Sequence, residues 1–164
     1  MPEGPTGLLV LPHFAGAATP YMDYSAKAAV VGLTLETDKY TLYKALMEGT
    51  SYEMLLNFEA LKDYTGGIRE LRATGGGAKS DAWLQIKADI LGMRIAALDI
   101  GEAGAAGTAA MAGVAAGIYG ELRAAVAAMV RVRAVFEPRS AYHDAYMAHY
   151  ARYKGLYESL KAHR

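Results

Sequence analysis

The chain has 164 residues, and its 17 basic side chains balance 17 acidic ones. That balance gives no field of one sign, which argues against broad binding to nucleic acid or to an anionic membrane surface. Cysteine is absent, which excludes disulfides and thiolate metal sites and fits a cytoplasmic protein. Apolar residues make up 53% of the chain, enough to bury the core of one domain spanning residues 1–164.

The start of the chain predicts two short strands separated by a loop. Residues 8–11 and 28–33 are apolar runs, and the second is β-branched at its centre, as in buried strands. Residues 12–26 carry two prolines and several polar aromatic side chains, which indicates a long surface loop.

A long amphipathic helix is predicted next. Thr37 or Asp38 can accept hydrogen bonds from its first free amides, and apolar residues at three- and four-residue steps continue to about Tyr64. Gly66 and the glycine after it would end the helix. Gly49 lies in the helix interior, where glycine costs about 1 kcal/mol relative to alanine. We therefore expect another backbone to approach the helix closely at Gly49.

Residues 68–98 predict a strand–helix–strand unit. Residues 68–74 alternate between apolar and polar, and three glycines follow at once. Ser80 or Asp81 can cap a helix over residues 81–91, and residues 93–98 form a second apolar strand. Units of this length nearly always join two parallel strands through a right-handed crossover.

The last third of the chain predicts mainly helices. An Ala/Gly-rich helix is expected over residues 104–119; its uncharged stretch is shorter than the roughly 20 apolar residues of a membrane span, which favours close helix packing instead. A second helix is expected over 121–131, residues 132–136 are ambiguous, and a terminal helix covers 140–160. Tyrosines at helical spacing predict a buried or subunit-contacting face on that helix: Tyr142, Tyr146, Tyr150, Tyr153 and Tyr157.

The glycine turn after residue 74 is the strongest chemical signal. Three glycines let the backbone turn sharply and approach a ligand without a Cβ in the way. The free amides and positive dipole end of the following helix favour an anion such as phosphate. Ligands of parallel sheets bind just past the carboxyl ends of the strands, which is where residues 75–81 lie.

Two named nucleotide motifs partly resemble this turn. The P-loop pattern fails, because Ala73 and Ala78 occupy both positions that require glycine. The dinucleotide fingerprint matches Gly75 and Gly77 but has Ser80 in place of the third glycine, with Asp99 near the position of an acidic ribose ligand. A small dinucleotide-binding oxidoreductase therefore stays open as an alternative.

The same turn and its helix resemble the adenosine-binding segment of the FGGY carbohydrate kinases, in which a Gly-Gly-Gly-Ala-x-Ser turn leads into a helix with a Trp, a Gln and an Ala-Asp pair. The matching residues are Gly75, Gly76, Gly77, Ala78, Ser80, Trp83, Gln85, Ala88, Asp89 and Gly92. Residues 19–23, 32–34, 45–53 and 104–113 resemble further family segments in the same order.

The resemblance implies an α/β fold, part of a ribonuclease H-like (actin-like ATPase) domain with helices packed on a small, mainly parallel sheet. It implies ATP with Mg²⁺ as cofactors and a pentulose, polyol or aldonate as the sugar whose hydroxyl is phosphorylated. The amides of Gly76 and Gly77 would approach the phosphates or ribose, Ala78 and Asp81 would border the adenosine, and Ser80 would cap the helix. Gly75 completes the predicted nucleotide turn.

The resemblance also implies what this chain does not supply. In the family, the sugar-binding lobe and the catalytic Asp lie upstream, so we expect no catalytic residue here and no activity from the isolated chain. A non-catalytic interaction module stays open as a second alternative to the kinase lobe. A homodimer is a possible assembly, and no nucleic acid or membrane partner is expected. No metal site is expected, because the histidines lack metal-ligand spacing: His13, His143, His149 and His163.

Overall fold

The computed structural model describes residues 3–65 and 67–161, so the predicted helix stop at Gly66 and the histidine at 163 lie outside the described residues. The chain forms two compact units. The first unit comprises Met1–Ile68, Ile86–Gly92 and Pro138–Arg164, and the second comprises Arg69–Gln85 and Met93–Glu137.

Strands and helices follow the predicted order. The strands are β1 (Leu9–Leu11), β2 (Ala29–Val31), β3 (Glu70–Ala73), β4 (Arg94–Leu98) and β5 (Val132–Phe136). The α-helices are α1 (Lys39–Thr65), α2 (Asp81–Leu91), α3 (Ala103–Ala115), α4 (Leu122–Met129), α5 (Ser140–Tyr153) and α6 (Leu156–Lys161), and Gly76–Lys79 forms a 3₁₀ turn. Among the described residues, no helix combines the length and apolarity that crossing a membrane requires.

Several boundaries differ from the predictions for local reasons. The ambiguous residues 132–136 form a strand, and the predicted terminal helix is two helices. The Ala/Gly-rich helix ends at Ala115 because Gly117 takes a positive φ of 73°, and the amides of Ile118 and Tyr119 turn back to the carbonyl of Gly113.

The sheets correct one expectation, that of a mainly parallel sheet. In the first unit β1 pairs with β2 antiparallel; in the second unit β4 pairs parallel with β3 and antiparallel with β5. Parallel pairing needs a crossover element between consecutive strands, and α2 supplies one between β3 and β4. The predicted strand–helix–strand unit is therefore confirmed.

The close approach expected at Gly49 is confirmed in the first unit. A Cβ at Gly49 would lie 2.3 Å from the carbonyl oxygen of Val10, so α1 packs directly against the backbone of β1. Leu8, Val10 and Ala45 form the buried cluster beside this contact. The helix tolerates an interior glycine because only a residue without a Cβ lets the backbones of α1 and β1 come this close.

A buried carboxylate lies next to this contact. Glu48 is 1% exposed and accepts hydrogen bonds from the Thr6 hydroxyl (2.7 Å), the Thr6 amide (3.2 Å) and the Tyr146 hydroxyl (3.3 Å). Lys44, also buried, pairs with the Glu48 carboxylate at 3.2 Å. A buried charge is stable only when it is paired and hydrogen-bonded, and Glu48 thereby joins the N-terminal segment, α1 and α5.

Tyrosines on α5 and α6 form a row of hydroxyl–carboxylate hydrogen bonds. Tyr150 donates to Glu59 at 2.9 Å, Tyr157 donates to Asp23 at 2.8 Å, and Tyr153 donates to Glu53. The buried members of the stripe are Tyr146, Tyr150, Tyr153 and Tyr157. They form the core of the first unit. This confirms the buried face, which was one of the two roles predicted for these tyrosines.

The predicted surface loop, residues 12–26, is partly buried. Its His13 is 3% exposed, approaches Glu53 at 3.0 Å through Nε2, and meets the rings of Tyr21 and Tyr157 edge-on. The backbones of Ala17 and Asp23 bond to each other in both directions. The loop is thus held in place by its own hydrogen bonds and by a buried imidazole, which hydropathy did not reveal.

A second buried carboxylate anchors α2. Asp89 is fully buried and accepts hydrogen bonds from the Arg139 amide (2.9 Å) and from Nη2 (2.7 Å) and Nε (3.1 Å) of its guanidinium. The Asp89 carbonyl lies 2.8 Å from His143 Nδ1. These contacts hold the C-terminal half of α2 against the start of α5.

The glycine contact can be tested by adding one methyl group. Gly49→Ala should lower the free energy of unfolding by about 1–3 kcal/mol, because the new Cβ overlaps the Val10 carbonyl. Gly107→Ala is the control: its Cβ would meet open space on α3, and alanine's helix propensity should stabilise by up to about 1 kcal/mol. Urea denaturation followed by circular dichroism measures both, and equal effects would contradict the packing argument.

The tyrosine row predicts a loss of stability in alkaline solution. Burial and the nearby carboxylates raise the pKa values of Tyr52, Tyr146, Tyr150 and Tyr153 above their ordinary value of 10.0. The unfolded chain therefore loses these protons first. Their contribution is fully present below pH 10 and is lost as the pH rises further, by about 1.4 kcal/mol per pH unit for each tyrosine.

Urea denaturation across this pH range, with tyrosinate absorbance recorded in parallel, measures the effect. Tyr153→Phe should reduce the slope of the unfolding free energy against pH by the amount that corresponds to one proton. Tyr40→Phe, which removes an exposed hydroxyl, should leave it unchanged. Ionisation of all tyrosines before any unfolding would refute the prediction.

Candidate functional site

The glycine turn lies in the second unit between β3 and α2. Gly75 has φ 80° and ψ −168°, a conformation that side chains disfavour, and it reverses the chain after the strand. Gly76–Lys79 then form one 3₁₀ turn, closed by the Ala78 amide donating to the Gly75 carbonyl at 3.1 Å. The first amides of such a turn have no acceptor within it, which leaves the N–H groups of Gly76 and Gly77 for other partners.

The start of α2 is capped by its own side chains. The Ser80 hydroxyl accepts from the Trp83 amide at 3.3 Å, which confirms the predicted cap. Asp81 places an exposed carboxylate in the first turn, where the helix dipole favours negative charge. Because this end already carries a cap and a carboxylate, the amides best placed for an anion belong to the 3₁₀ turn rather than to α2.

Trp83 lies beneath the turn and is half-buried. A Cβ at Gly77 would come within 3.4 Å of its ring, so Gly77 leaves room for the indole. Trp83 thus packs against the turn.

A cavity of about 100 Å³ opens beside the turn. It lies at the carboxyl ends of the parallel strands β3 and β4, and the Thr74 hydroxyl ties the two strand ends together by donating to the Ile100 carbonyl at 3.1 Å. The cavity is lined by Gly75, Ala78, Lys79, Leu98, Asp99, Ile100, Gly101 and Arg133. Its position matches the general rule for ligands of parallel sheets.

The charged groups around the cavity have opposite signs. Arg133 Nη2 donates to Asp81 Oδ1 at 2.7 Å and to the Ala78 carbonyl at 3.2 Å. The hydrogen bond to Asp81 raises the pKa of Arg133 above its usual value. Lys79 and Asp99 are exposed on the cavity lining. The site thus offers the Lys79 ammonium group for phosphate and the Asp99 carboxylate for hydroxyl groups.

The predicted site residues take different positions. Gly75 and Ala78 line the cavity, Gly76 and Gly77 belong to the turn, Ser80 caps α2, and Asp81 adjoins the cavity through Arg133.

Sequence reasoning missed Arg133, Lys79, Ile100 and Gly101 as members of the site. Asp99 was predicted only as a ribose ligand of the alternative dinucleotide fingerprint. Lys79 could have been inferred from its place in the turn. Arg133 could not, because its position depends on how residues 132–136 pair.

The described residues hold no group of three or more His, Asp or Glu side chains arranged to bind a metal ion. His13 and His143, two of the histidines considered in the sequence, have protein partners instead.

Comparison with known proteins assigns the family. Residues 2–116 match the C-terminal domain of the FGGY family of carbohydrate kinases. A xylulose kinase of Staphylococcus epidermidis is 31% identical over 96% of this chain and 32% of its own length. A glycerol kinase of Halorhodospira halophila is 36% identical over 80% of this chain and 26% of its own length. The solved xylulose kinase of Rhodospirillum rubrum superposes with a TM-score of 0.82 and 28% identity, covering 100% of this chain and 33% of that one.

The chain belongs to the FGGY family of carbohydrate kinases. Its fold is the α/β, ribonuclease H-like (actin-like ATPase) fold of that family's C-terminal domain, as the resemblance implied. The chain spans about a third of the length of the relatives it matches.

The cap on α2 gives a prediction for the site. Ser80→Ala should lower the free energy of unfolding by about 1 kcal/mol, because the Trp83 amide loses its acceptor. Thr50→Ala, which removes an exposed hydroxyl bonded within the interior of α1, should change stability by no more than a few tenths of a kcal/mol. Thermal denaturation of both variants tests the cap, and a neutral Ser80→Ala would disprove it.

Proposed function

We propose that this chain is the ATP-side lobe of a sugar kinase and that residues 75–81, with the cavity beside them, bind the nucleotide. In the complete enzyme the γ-phosphoryl group of ATP would pass to a hydroxyl of a pentulose, a polyol or an aldonate. The matched family is one of carbohydrate kinases, and the site lies where parallel sheets bind ligands.

The observation that carries this proposal is the place of the glycine turn, beside a cavity at the carboxyl ends of the parallel strands β3 and β4. At Gly49 the protein's own packing explains why there is no side chain, since a Cβ would strike Val10. At Gly76 no atom lies within 4 Å of where a Cβ would be, and the backbone does not require glycine. A ligand approaching the turn is what a side chain at Gly76 would exclude.

Each group then has a role suited to its chemistry. The amides of Gly76 and Gly77 would donate to phosphate or ribose oxygens, and Ala78 would border the adenosine without obstructing it. Lys79, flexible and exposed, would reach a phosphate as a point charge. The Asp99 carboxylate lines the same cavity and would accept hydrogen bonds from ribose hydroxyls.

Mg²⁺ would enter with ATP. The described residues hold no cluster of three acidic or histidine ligands, so this part of the chain does not form a dedicated metal cage. Mg²⁺ commonly keeps several waters and binds through substrate phosphates with one or two carboxylates. When bound, it would neutralise phosphate charge; the residues of this site would orient the nucleotide.

Among sugars, a pentulose is the leading candidate. The xylulose kinase matches 96% of this chain and the glycerol kinase 80%. Phosphoryl transfer depends mainly on positioning and charge stabilisation, and we assign the described residues to holding the nucleotide and none to proton removal from the sugar. We further propose a cytoplasmic location, since ATP is available there.

Nucleotide binding can be tested with one matched pair of variants. Calorimetric titration with ATP and ADP should show binding to the parent chain and an affinity at least roughly tenfold lower for Gly76→Val, whose side chain occupies the ligand's space. Gly120→Val is the control, because it also adds a side chain in open space but lies outside the site. Equal affinities of parent and Gly76→Val would disprove the assigned site.

NADH is a further titrant, since the sequence left a dinucleotide-binding oxidoreductase open. Family membership predicts no specific NADH binding. NADH affinity higher than ATP affinity would favour the oxidoreductase.

A further inference from the structure

We propose that Arg133 is a positioning residue of the nucleotide site, which holds the glycine turn in its binding shape and cancels the charge of Asp81. The inference rests on the proposed nucleotide function of residues 75–81, but the contacts that support it belong to the protein alone. Arg133 lies on β5, beyond the matched family segment, which ends at residue 116.

The geometry joins three parts of the second unit through one nitrogen. Arg133 Nη2 donates to the Ala78 carbonyl in the 3₁₀ turn and to Asp81 Oδ1 at the start of α2. The turn and the helix start are separated only by Ser80, so the guanidinium spans the corner between them. Loss of this contact would leave the corner held by the Ser80 cap and the bond that closes the turn.

The strand carrying Arg133 is irregular at that residue. β5 pairs with β4 through Ala97 with Ala134 and through Leu98 with Val132, so the register shifts and Arg133 has no facing residue in β4. Such irregularities in antiparallel pairs bend the strand and redirect a side chain, and they often lie beside active sites. Here the redirected side chain is the one that reaches the turn.

Electrostatics gives the contact a second purpose. Asp81 favours the start of α2 through the helix dipole, but an unpaired carboxylate there would repel a nucleotide's phosphates. The 2.7 Å ion pair with Arg133 removes most of that repulsion while keeping the carboxylate that the helix uses. Because its Nη2 is already engaged by protein acceptors, Arg133 acts on the nucleotide through the turn.

The variants separate the two effects. Arg133→Gln removes both the brace and the charge, Arg133→Lys keeps the charge but loses the planar fork, and Asp81→Asn with Arg133→Gln removes both charges. Arg131→Gln is the matched control, since it removes an exposed arginine two positions away on the same segment. Titrations with ATP and with uncharged adenosine distinguish charge from shape.

We expect Arg133→Gln to weaken ATP binding by about tenfold or more and adenosine binding by a smaller factor. Arg133→Lys should recover the part specific to ATP, and so should the double variant. Arg131→Gln should bind both ligands as the parent does. A loss of ATP affinity with adenosine affinity unchanged would indicate direct phosphate contact and overturn the positioning role, as would an equal loss in Arg131→Gln.

Hydrogen exchange without nucleotide supplies an independent measurement. The amides of residues 78–84 should exchange faster in Arg133→Gln than in the parent or in Arg131→Gln, because the corner loses its brace. Unchanged exchange would refute the proposal. If the parent bound no nucleotide, the proposed function would fail, and the exchange data would still decide whether Arg133 braces the turn.

Discussion

The buried carboxylate of Asp89 is the constraint on which the position of α2 depends. A carboxylate with no access to water is tolerated only with full compensation, and the amide and guanidinium of Arg139 provide it. The helix cannot slide or rotate without breaking these bonds. The segment Ile86–Gly92, which contains the C-terminal half of α2, thereby packs with α5 as part of the first unit.

Buried acids recur as a structural device in this chain. Glu48, Glu53 and Asp23 accept hydrogen bonds from tyrosines of the C-terminal helices, where the sequence offered only an aromatic stripe. Each such bond satisfies a buried phenol and a carboxylate that is buried at Glu48 and half-buried at Glu53 and Asp23. Glu48 and Glu53 lie in the segment of α1 that resembles the family. Both therefore have a structural role, and counting them among candidate catalytic acids would be wrong.

Sequence reasoning succeeded where the signal was local. The bounds of α2 and its serine cap were predicted because they depend on neighbouring residues, and the close contact at Gly49 was predicted because glycine is costly in a helix interior. Arg133 was not predicted, because its contact with the turn requires antiparallel pairing of β5 with β4 and a register shift that no short pattern encodes. The burial of His13 was missed for a similar reason, since its partner Glu53 lies on a different element.

The chain has one tryptophan and 12 tyrosines. The tryptophan, Trp83, packs against Gly77 in the turn. Light absorbed selectively by indole is therefore emitted from one place, next to the glycine turn of the proposed nucleotide site. The chain thus carries an intrinsic optical reporter at that site, whose emission wavelength and quenching register the environment of the turn without any attached dye. Every tyrosine of the buried row lies in the other unit, so its spectroscopic signals arise from a different part of the molecule.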